Sequence, residues 1–193
     1  RGITVVPFMA FVLGASTLAQ TTTRVSVDSS GTPGTGSSRY ASASSDGMII
    51  GFESTAPNLV PGDTNGSRDI FVRDRSSGTT RRASLSSGGT QGNAESIFCS
   101  VSGNGRFVAF ASHATNLVPN DGNGLQDVFV HDLQTGITTC ASLDTGGATG
   151  NGHSTYPSIS FDGLFVAFVS RASNLVSGDT NGFWDAFIHD LQS

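Results

Sequence analysis

The feature that most constrains this chain is an internal repeat. An Asp-x-Asn-Gly sequence begins at Asp63, at Asp121 and at Asp179, so successive copies lie 58 residues apart. The same spacing recurs without insertions in other residue types, for example at Phe71, Phe129 and Phe187. Three units in one frame indicate a fold built from stacked copies of a single supersecondary structure.

Each copy has the sequence pattern of four short strands. In the middle copy these are residues 97–102, 106–112, 127–132 and 137–143, which are rich in apolar residues and separated by Gly, Asn or Asp. Residues 107–110 are Phe-Val-Ala-Phe, which places apolar side chains on both faces of the second strand. A sheet that is apolar on both faces lies between two other sheets, as a blade does in a β-propeller. The sequence therefore predicts an all-β fold of three four-stranded antiparallel blades.

The repeat also resembles a known family. Residues 160–170 read Ser-x-Asp-Gly-x-Phe-Val-Ala-Phe-x-Ser, and residues 58–74 read Asn-Leu-Val-Pro-Gly-Asp-Thr-Asn-Gly-x-x-Asp-x-Phe-Val-x-Asp. Both resemble the WD40-like PD40 repeats of bacterial TolB-type β-propellers. The resemblance covers residues 20–193, in repeats of approximately 20–77, 78–135 and 136–193. It implies propeller blades, and TolB-type propellers usually have six of them.

The segment after residue 20 matches the end of a repeat rather than its start. Thr22, Arg24, Val25, Ser26 and Val27 align with the fourth strand of the first copy, and the last copy contains only three strands. The N-terminal strand is therefore expected to complete the last blade, either in the same chain or in a second chain. Two chains could form one six-bladed ring, chains could add head to tail into a filament, or the sequence could be part of a longer propeller.

Residues 1–19 differ in composition from the repeats. Arg1 precedes an apolar run over residues 3–13, and small residues follow up to Ala19. This order is typical of a signal peptide, with cleavage expected after Ala19. The apolar run is too short to cross a membrane. The chain is accordingly expected to be secreted or to lie on the cell surface.

Charge and motif content narrow the function. The net charge is −5, Lys is absent, and the ten basic residues are all Arg. Nucleic acid is therefore not an expected partner, because phosphate backbones need clustered Lys and Arg. The four His residues have no metal-ligand spacing, and the sequence has no nucleophile motif such as Gly-x-Ser-x-Gly. We predict no catalytic residues.

The Asp-x-Asn-Gly-x-x-Asp sequences are the strongest chemical motif. Carboxylate and amide oxygens at alternate loop positions, with a Gly that allows a sharp turn, are typical of a calcium loop. The same residues could instead serve only as a turn, in which Asp and Asn accept backbone N–H bonds. The predicted Ca²⁺ ligands are Asp63, Asn65, Asp69, Asp121, Asn123, Asp127, Asp179, Asn181 and Asp185.

An aromatic pair and two cysteines are also candidates for a role. Phe183 and Trp184 follow the Asn-Gly sequence of the last copy, where they could stack on a sugar ring or pack in a subunit contact. Cys99 and Cys140 are expected on the first and fourth strands of one blade, too far apart for a disulfide. We expect Cys99 to be buried, whereas Cys140 on the outer strand could cross-link chains.

These expectations favour a structural or adhesive protein outside the cell. It would have no enzyme activity and would assemble through its blade edges into a homo-oligomer, as a filament or a closed ring. The alternative is a ligand-binding propeller that recognises a glycan or a protein on its loop face. A part of a propeller enzyme is the third interpretation.

Overall fold

The computed structural model describes residues 20–192, so the predicted leader lies outside the described residues. The described part contains eleven strands and no helix, hence none that could cross a membrane. The strands are β1 (Ser38–Ala43), β2 (Ile49–Ser54), β3 (Asp69–Asp74), β4 (Thr79–Arg82), β5 (Ser96–Val101), β6 (Phe107–Ser112), β7 (Asp127–Asp132), β8 (Thr138–Cys140), β9 (Ser154–Ile159), β10 (Phe165–Ser170) and β11 (Asp185–Asp190). They form three antiparallel sheets, β1-β2-β3-β4, β5-β6-β7-β8 and β9-β10-β11, which we call the first, second and third blades.

The second and third strands of every blade pair in the same register. Their centre is a pair of phenylalanines that face each other across the strands: Phe52 and Phe71, Phe110 and Phe129, and Phe168 and Phe187. The ring centroids in these pairs are 6.0, 5.9 and 5.8 Å apart. Aromatic and β-branched side chains suit a pleated surface that is covered on both faces. The repeat in the sequence is therefore a repeat in the structure.

The blades pack face to face. Ile70 and Val72 of the first blade share a buried apolar cluster with Phe110 of the second. A second cluster joins Val130 of the second blade to Phe168 of the third. Burial of each such side chain stabilises the fold by about 2 kcal/mol. The first strands of consecutive blades contact one another, so β1, β5 and β9 form the inner edge of the stack.

The strands predicted for the middle copy are confirmed with small shifts. The first is Ser96–Val101, the second is Phe107–Ser112, and the third has the predicted bounds. The fourth, β8, is shorter than the predicted residues 137–143. The regular pairing ends at Cys140, the N–H of Ala141 still donates to the carbonyl of Val128 in β7, and Leu143 then forms a separate bridge with Thr149.

The segment near the N-terminus that was predicted as a fourth strand does not form one. In residues 20–27, only Val27 takes part in a β-bridge, which it makes with Pro33. The third blade has three strands, and β11 pairs with β10 alone among the described residues. Completion of this blade within the same chain is therefore not observed. Residues 21–24 are exposed and none of the described strands pairs with them, whereas completion by a second chain stays a prediction.

The expectation that Cys140 could cross-link chains is wrong. Cys99 and Cys140 are both free and buried, at 9% and 8% exposure. Cys140 is opposite Phe129 in β7 and belongs to the cluster between the first two blades. Alternate residues of a strand face opposite sides of a sheet, and Cys140 is on the side that faces this cluster.

Candidate functional site

The Asp-x-Asn-Gly-x-x-Asp sequences form the loops that lead into the third strands of the blades. We call residues 63–69, 121–127 and 179–185 the Asp loops. In the first, Asn65 Oδ1 accepts a 2.9 Å hydrogen bond from the backbone N–H of Ser67. Its Nδ2 donates to Asp69 Oδ2 at 3.1 Å and to the carbonyl of Gly92 at 3.0 Å. The amide thus closes the loop and fastens it to the connection between blades.

The other two Asp loops contain the same turn. Asn123 Oδ1 accepts a 2.7 Å bond from the N–H of Leu125, and its Nδ2 donates to Asp127 Oδ2 at 2.7 Å. In the third loop, Asn181 Nδ2 donates to Asp185 Oδ2 at 2.8 Å. The interpretation of these residues as a turn therefore describes all three copies. Binding of Ca²⁺ stays a prediction.

The first residue of the third strand is a fully buried carboxylate in the first two blades. Asp69 Oδ1 accepts a 2.6 Å hydrogen bond from Ser84 Oγ, and Asp127 Oδ1 accepts one of 2.6 Å from Ser142 Oγ. Burial raises the pKa of both carboxyl groups, and the serine hydrogen bond lowers it in part. Each of these serines lies just beyond a fourth strand, so the bond fastens the end of that strand to the third.

In the first blade, a positive charge from the fourth strand offsets two carboxylates. Nη2 of Arg82 lies 3.2 Å from Asp63 Oδ1, and its Nε lies 3.6 Å from Asp69 Oδ2. Gln91 Nε2 donates to the same two oxygens at 3.2 and 3.3 Å. The side chain of Arg82 is only 5% exposed. This carboxylate pair therefore already holds a buried cation.

The second blade lacks both groups. Cys140 stands at the repeat position of Arg82, and Thr149 replaces the glutamine. Asp121 is 6% exposed, and its Oδ1 is buried without a hydrogen-bond partner in the described part of the chain. Burial, and then the carboxylate of Asp127, raises the pKa of Asp121 to about 6. Residues 20–192 contain no group of three or more His, Cys, Asp or Glu side chains arranged to hold a metal ion.

The Asp loop of the third blade has no fourth strand beside it. Asp185 is half-buried, in contrast to its fully buried equivalents in the other two blades. Within residues 20–192, the side-chain amide of Asn181 is the hydrogen-bond donor to its carboxylate. No serine or arginine of the described chain contacts Asp185 as Ser84 and Arg82 contact Asp69 in the first blade.

The outer face of the third blade is apolar and uncovered by any other described blade. Ile188 is 71% exposed, and Ala186 is also exposed. The equivalent residues of the second blade, Val130 and Val128, are buried against the third blade. The third blade therefore exposes positions that are interior in the blade before it.

The opposite end of the stack has a corresponding face on the first blade. Ala43 is exposed and Ile50 is half-buried. The equivalent residues of the second blade, Val101 and Val108, are 6% and 0% exposed. Both ends of the described stack thus present apolar positions that are buried at the internal junctions.

The predicted interface residues divide into two groups. Thr22 and Arg24 are exposed, and Ser26 is half-buried. Val25 packs against the buried cluster of the first blade, and Val27 is 8% exposed. The first part of this segment is therefore accessible, whereas the second is docked on its own chain.

A row of aromatic rings along the inner strands was not predicted. Tyr40, Phe98 and Tyr156 lie at β-bulges of β1, β5 and β9, with φ angles of 49°, 56° and 51°. Neighbouring ring centroids are 4.9 and 4.3 Å apart, and the two tyrosines are more than half exposed. A left-handed backbone at a non-glycine residue costs about 1–3 kcal/mol. An aromatic residue at this position in all three copies is the signal that could have revealed the row.

The predicted aromatic pair lies in the third Asp loop. Phe183 is 73% exposed and Trp184 is 49% exposed. Large apolar side chains with this exposure are accessible to a ligand or to a second chain. A role for either residue stays a prediction.

Comparison with known proteins identifies the fold. The sequence matches no protein-family model and no curated protein. Among solved structures, the chain is similar to a putative TolB from Agrobacterium tumefaciens, with 17% identity and a TM-score of 0.52 over 80% of this chain. It is also similar to TolB from Acinetobacter baumannii, with 20% identity and a TM-score of 0.50 over 84% of this chain. The chain spans 46% and 31% of those two structures. The three repeats therefore have the fold of TolB-type β-propeller blades.

Proposed function

We propose that this chain is a secreted or cell-surface structural protein without enzyme activity that assembles through its blade edges. The N-terminal segment of one chain adds to the third blade of another as its fourth strand. The observation that carries this proposal is the open edge of β11, which pairs with β10 alone among the described residues. An unpaired strand edge is a template for a strand from another chain.

The repeat supplies the register of the added strand. In the first blade, Phe71 is opposite Arg82 and Arg73 is opposite Thr80. Phe187 and His189 lie two repeats after Phe71 and Arg73, and Arg24 and Thr22 lie one repeat before Arg82 and Thr80. The equivalent pairs are therefore Phe187 with Arg24 and His189 with Thr22. Residues 21–24 would therefore extend along β11 as β4 extends along β3.

The polar groups of the added segment match what the third Asp loop lacks. Ser26 is equivalent to Ser84 and Ser142, whose hydroxyls bind the buried third-strand carboxylates at 2.6 Å. Docked in the same register, Ser26 donates to Asp185. Arg24 is equivalent to Arg82 and brings its guanidinium to the carboxylates of the third loop. The added strand thus supplies both a hydrogen bond and a compensating charge.

The apolar faces at the two ends of the stack support the same arrangement. A junction between the third blade of one chain and the first blade of the next would bury Ile188 and Ala186 on one side. On the other side it would cover Ala43 and Ile50, which are more exposed than their equivalents in the second blade. Removal of apolar surface from water is the main favourable contribution to such an association.

Multi-angle light scattering of the full chain tests this proposal. The chain mass is 19.8 kDa, and we expect a dimer or a larger assembly. Arg24→Glu should shift the population toward the monomer, because it places a carboxylate among the carboxylates of the third loop. Arg75→Glu is the matched charge reversal on an exposed turn and should not change the mass. A wild-type chain that remains monomeric at about 100 µM, which is well above the micromolar range of ordinary complexes, would overturn the proposal.

The exposed aromatic row favours a second function, recognition of a glycan or a protein. Aromatic rings offer flat apolar surfaces on which a sugar ring or an apolar side chain can stack. A glycan array of the wild type and Tyr40→Ala/Tyr156→Ala tests this function, with Trp184→Ala as the test of the aromatic loop. Binding by the wild type that both variants retain would exclude these rings as the site.

A further inference from the structure

The second blade contains a carboxylate whose partner in the first blade is missing. Asp63 Oδ1 faces Nη2 of Arg82 at 3.2 Å and accepts from Gln91 Nε2 at 3.2 Å. The equivalent atom, Oδ1 of Asp121, is buried and has no hydrogen-bond partner among the described residues. A buried ionised carboxylate without compensation costs several kcal/mol, so it requires a positive partner or a proton.

The substitutions that remove the partner remove its charge as well. Cys140 takes the place of Arg82, and Thr149 takes the place of Gln91. The remaining parts of the first site are retained. Asp127 is fully buried, its Oδ1 accepts from Ser142, and its Oδ2 accepts from Asn123 at 2.7 Å. The second blade therefore keeps the carboxylate pair and loses both the buried cation and the amide donor that face Asp63 in the first blade.

We propose that the second blade binds a hard divalent cation, with Ca²⁺ as its representative, between Asp121 and Asp127. The cation takes the place that the guanidinium of Arg82 occupies in the first blade. Oxygen ligands select hard cations such as Ca²⁺, which completes its six to eight ligands with backbone carbonyls and water. Asn123 supports this site by holding the loop: its Oδ1 accepts the bond from Leu125 that closes the turn, and its Nδ2 donates to Asp127 Oδ2.

The proposal distinguishes the three Asp loops, although their motifs are the same. The first loop is filled by Arg82, and in the third the equivalent carboxylate, Asp185, is half-buried and lacks the neighbouring fourth strand. Only the second loop combines burial with an orphaned carboxylate oxygen. We therefore expect one Ca²⁺ per chain rather than three.

Calorimetric titration of Ca²⁺ into the EDTA-treated full chain tests the site. We expect one site per chain with a dissociation constant of about 0.1–1 mM, the range of extracellular calcium modules. At tenfold that concentration, Ca²⁺ should raise the melting temperature by about 3 °C, because a ligand that binds only the folded state stabilises it. Absence of binding up to about 10 mM would overturn the proposal.

Two variants assign the binding to this place. Asp121→Asn removes one of the two carboxylates and should abolish the calcium-dependent rise in melting temperature. Asp144→Asn is the matched control, because this turn carboxylate accepts its bonds from Gly146 and Ala148 through Oδ1, which asparagine keeps. The control should retain the full response. An unchanged response in Asp121→Asn would contradict the assignment.

A further variant introduces the arginine and the glutamine of the first blade at the equivalent positions of the second. Cys140→Arg/Thr149→Gln should melt higher than the wild type in EDTA and should no longer respond to Ca²⁺. Zn²⁺ is titrated in parallel, because thiolate ligands favour softer metals. Binding of Zn²⁺ alone, lost in Cys140→Ser, would overturn the assignment to a hard cation. Retention of the Ca²⁺ response in a folded Cys140→Arg/Thr149→Gln protein would do the same.

Discussion

The hydroxyl of Ser84 donates a 2.6 Å hydrogen bond to Oδ1 of Asp69, and both residues are fully buried. Ser84 lies two residues beyond the end of β4, and Asp69 begins β3. The bond therefore holds the outermost strand of the blade against its neighbour. The same bond joins Ser142 to Asp127 in the second blade. The residue at the same repeat position before the first blade is Ser26, which the proposed assembly brings to the third blade of another chain.

Replacement of Ser84 by alanine should destabilise the fold. The change leaves Oδ1 of a buried carboxylate without its donor, so the free energy of unfolding should fall by about 2 kcal/mol. Urea unfolding of Ser84→Ala checks this value, and Ser142→Ala should behave alike. Ser177→Ala, at an exposed loop position, is the control. A loss below about 0.5 kcal/mol for Ser84→Ala, as for an ordinary surface change, would contradict the role of this bond.

Removal of the buried cation of the first blade should be more costly. Arg82→Ala leaves the carboxylates of Asp63 and Asp69 buried and uncompensated, and breaking a buried pair costs about 3–5 kcal/mol. The measurement is the free energy of unfolding in EDTA, so that no metal ion substitutes for the guanidinium. Arg171→Ala, on the surface, should change it by less than about 0.5 kcal/mol. Equal effects of the two variants would show that the ion pair contributes nothing.

Stability should depend on pH through Asp132. Arg106 donates to this carboxylate from Nε at 3.0 Å and from Nη2 at 2.6 Å, and it holds the pKa of Asp132 well below its usual range. Because the folded-state pKa is depressed, the contribution is present above the unfolded-state pKa of about 3.9 and is lost as the pH falls toward the folded-state value. The difference in urea midpoint between wild type and Arg106→Ala should therefore shrink progressively below about pH 4.

A comparison with Arg75→Ala isolates this effect. The guanidinium of Arg75 donates to the carbonyl of Gly47, which does not titrate. The difference in urea midpoint between wild type and Arg75→Ala should not vary with pH. If the Arg106→Ala difference is equally constant from pH 7 down to pH 2, the pair is not the source of the pH dependence.

The two cysteines should be unreactive in the folded protein. Burial raises the pKa of both Cys99 and Cys140 to about 12. At pH 8 the thiolate fraction is then on the order of 10⁻⁴, and the thiolate is the reactive form. Iodoacetamide should label neither residue in native buffer within an hour and both residues in urea. Rapid labelling of either thiol in native buffer would contradict the observed burial.

The sequence was sufficient to predict the blades because the repeat recurs without insertions, so that equivalent residues take equivalent positions in every blade. Phenylalanines in the same frame of every copy become the central pairs, such as Phe52 with Phe71. Cys140 illustrates where the prediction failed. Its place on an outer strand suggested that its side chain is exposed. Whether a face of that strand is buried depends on packing between blades, and the strand pattern of a single copy does not show that packing.

The partners of the Asp-loop carboxylates could not be predicted from the motif either. The motif suggested nine ligands in three equivalent sites, because its residues are almost identical in every copy. The partners that distinguish the loops, Arg82 and Gln91, follow Asp63 by 19 and 28 residues and come from another strand and a connection. Only the fold brings them to the carboxylates. Within one chain, residues 22–27 do not pair with the third blade, and their pairing with a second chain stays a prediction, since a strand exists only where a partner is present.

A cross-link between two chains tests the central claim most directly. Thr22 and His189 have the repeat positions of Thr80 and Arg73, which are opposed in the first blade and joined by a 3.1 Å side-chain hydrogen bond. In Thr22→Cys/His189→Cys, oxidation should give a disulfide between chains, because opposed residues of adjacent strands lie within about 5.5 Å. Thr22→Cys/Ser177→Cys is the control. A dimer or a ladder on a non-reducing gel for the first variant alone is the predicted result, and a monomer band for both would contradict strand exchange between chains.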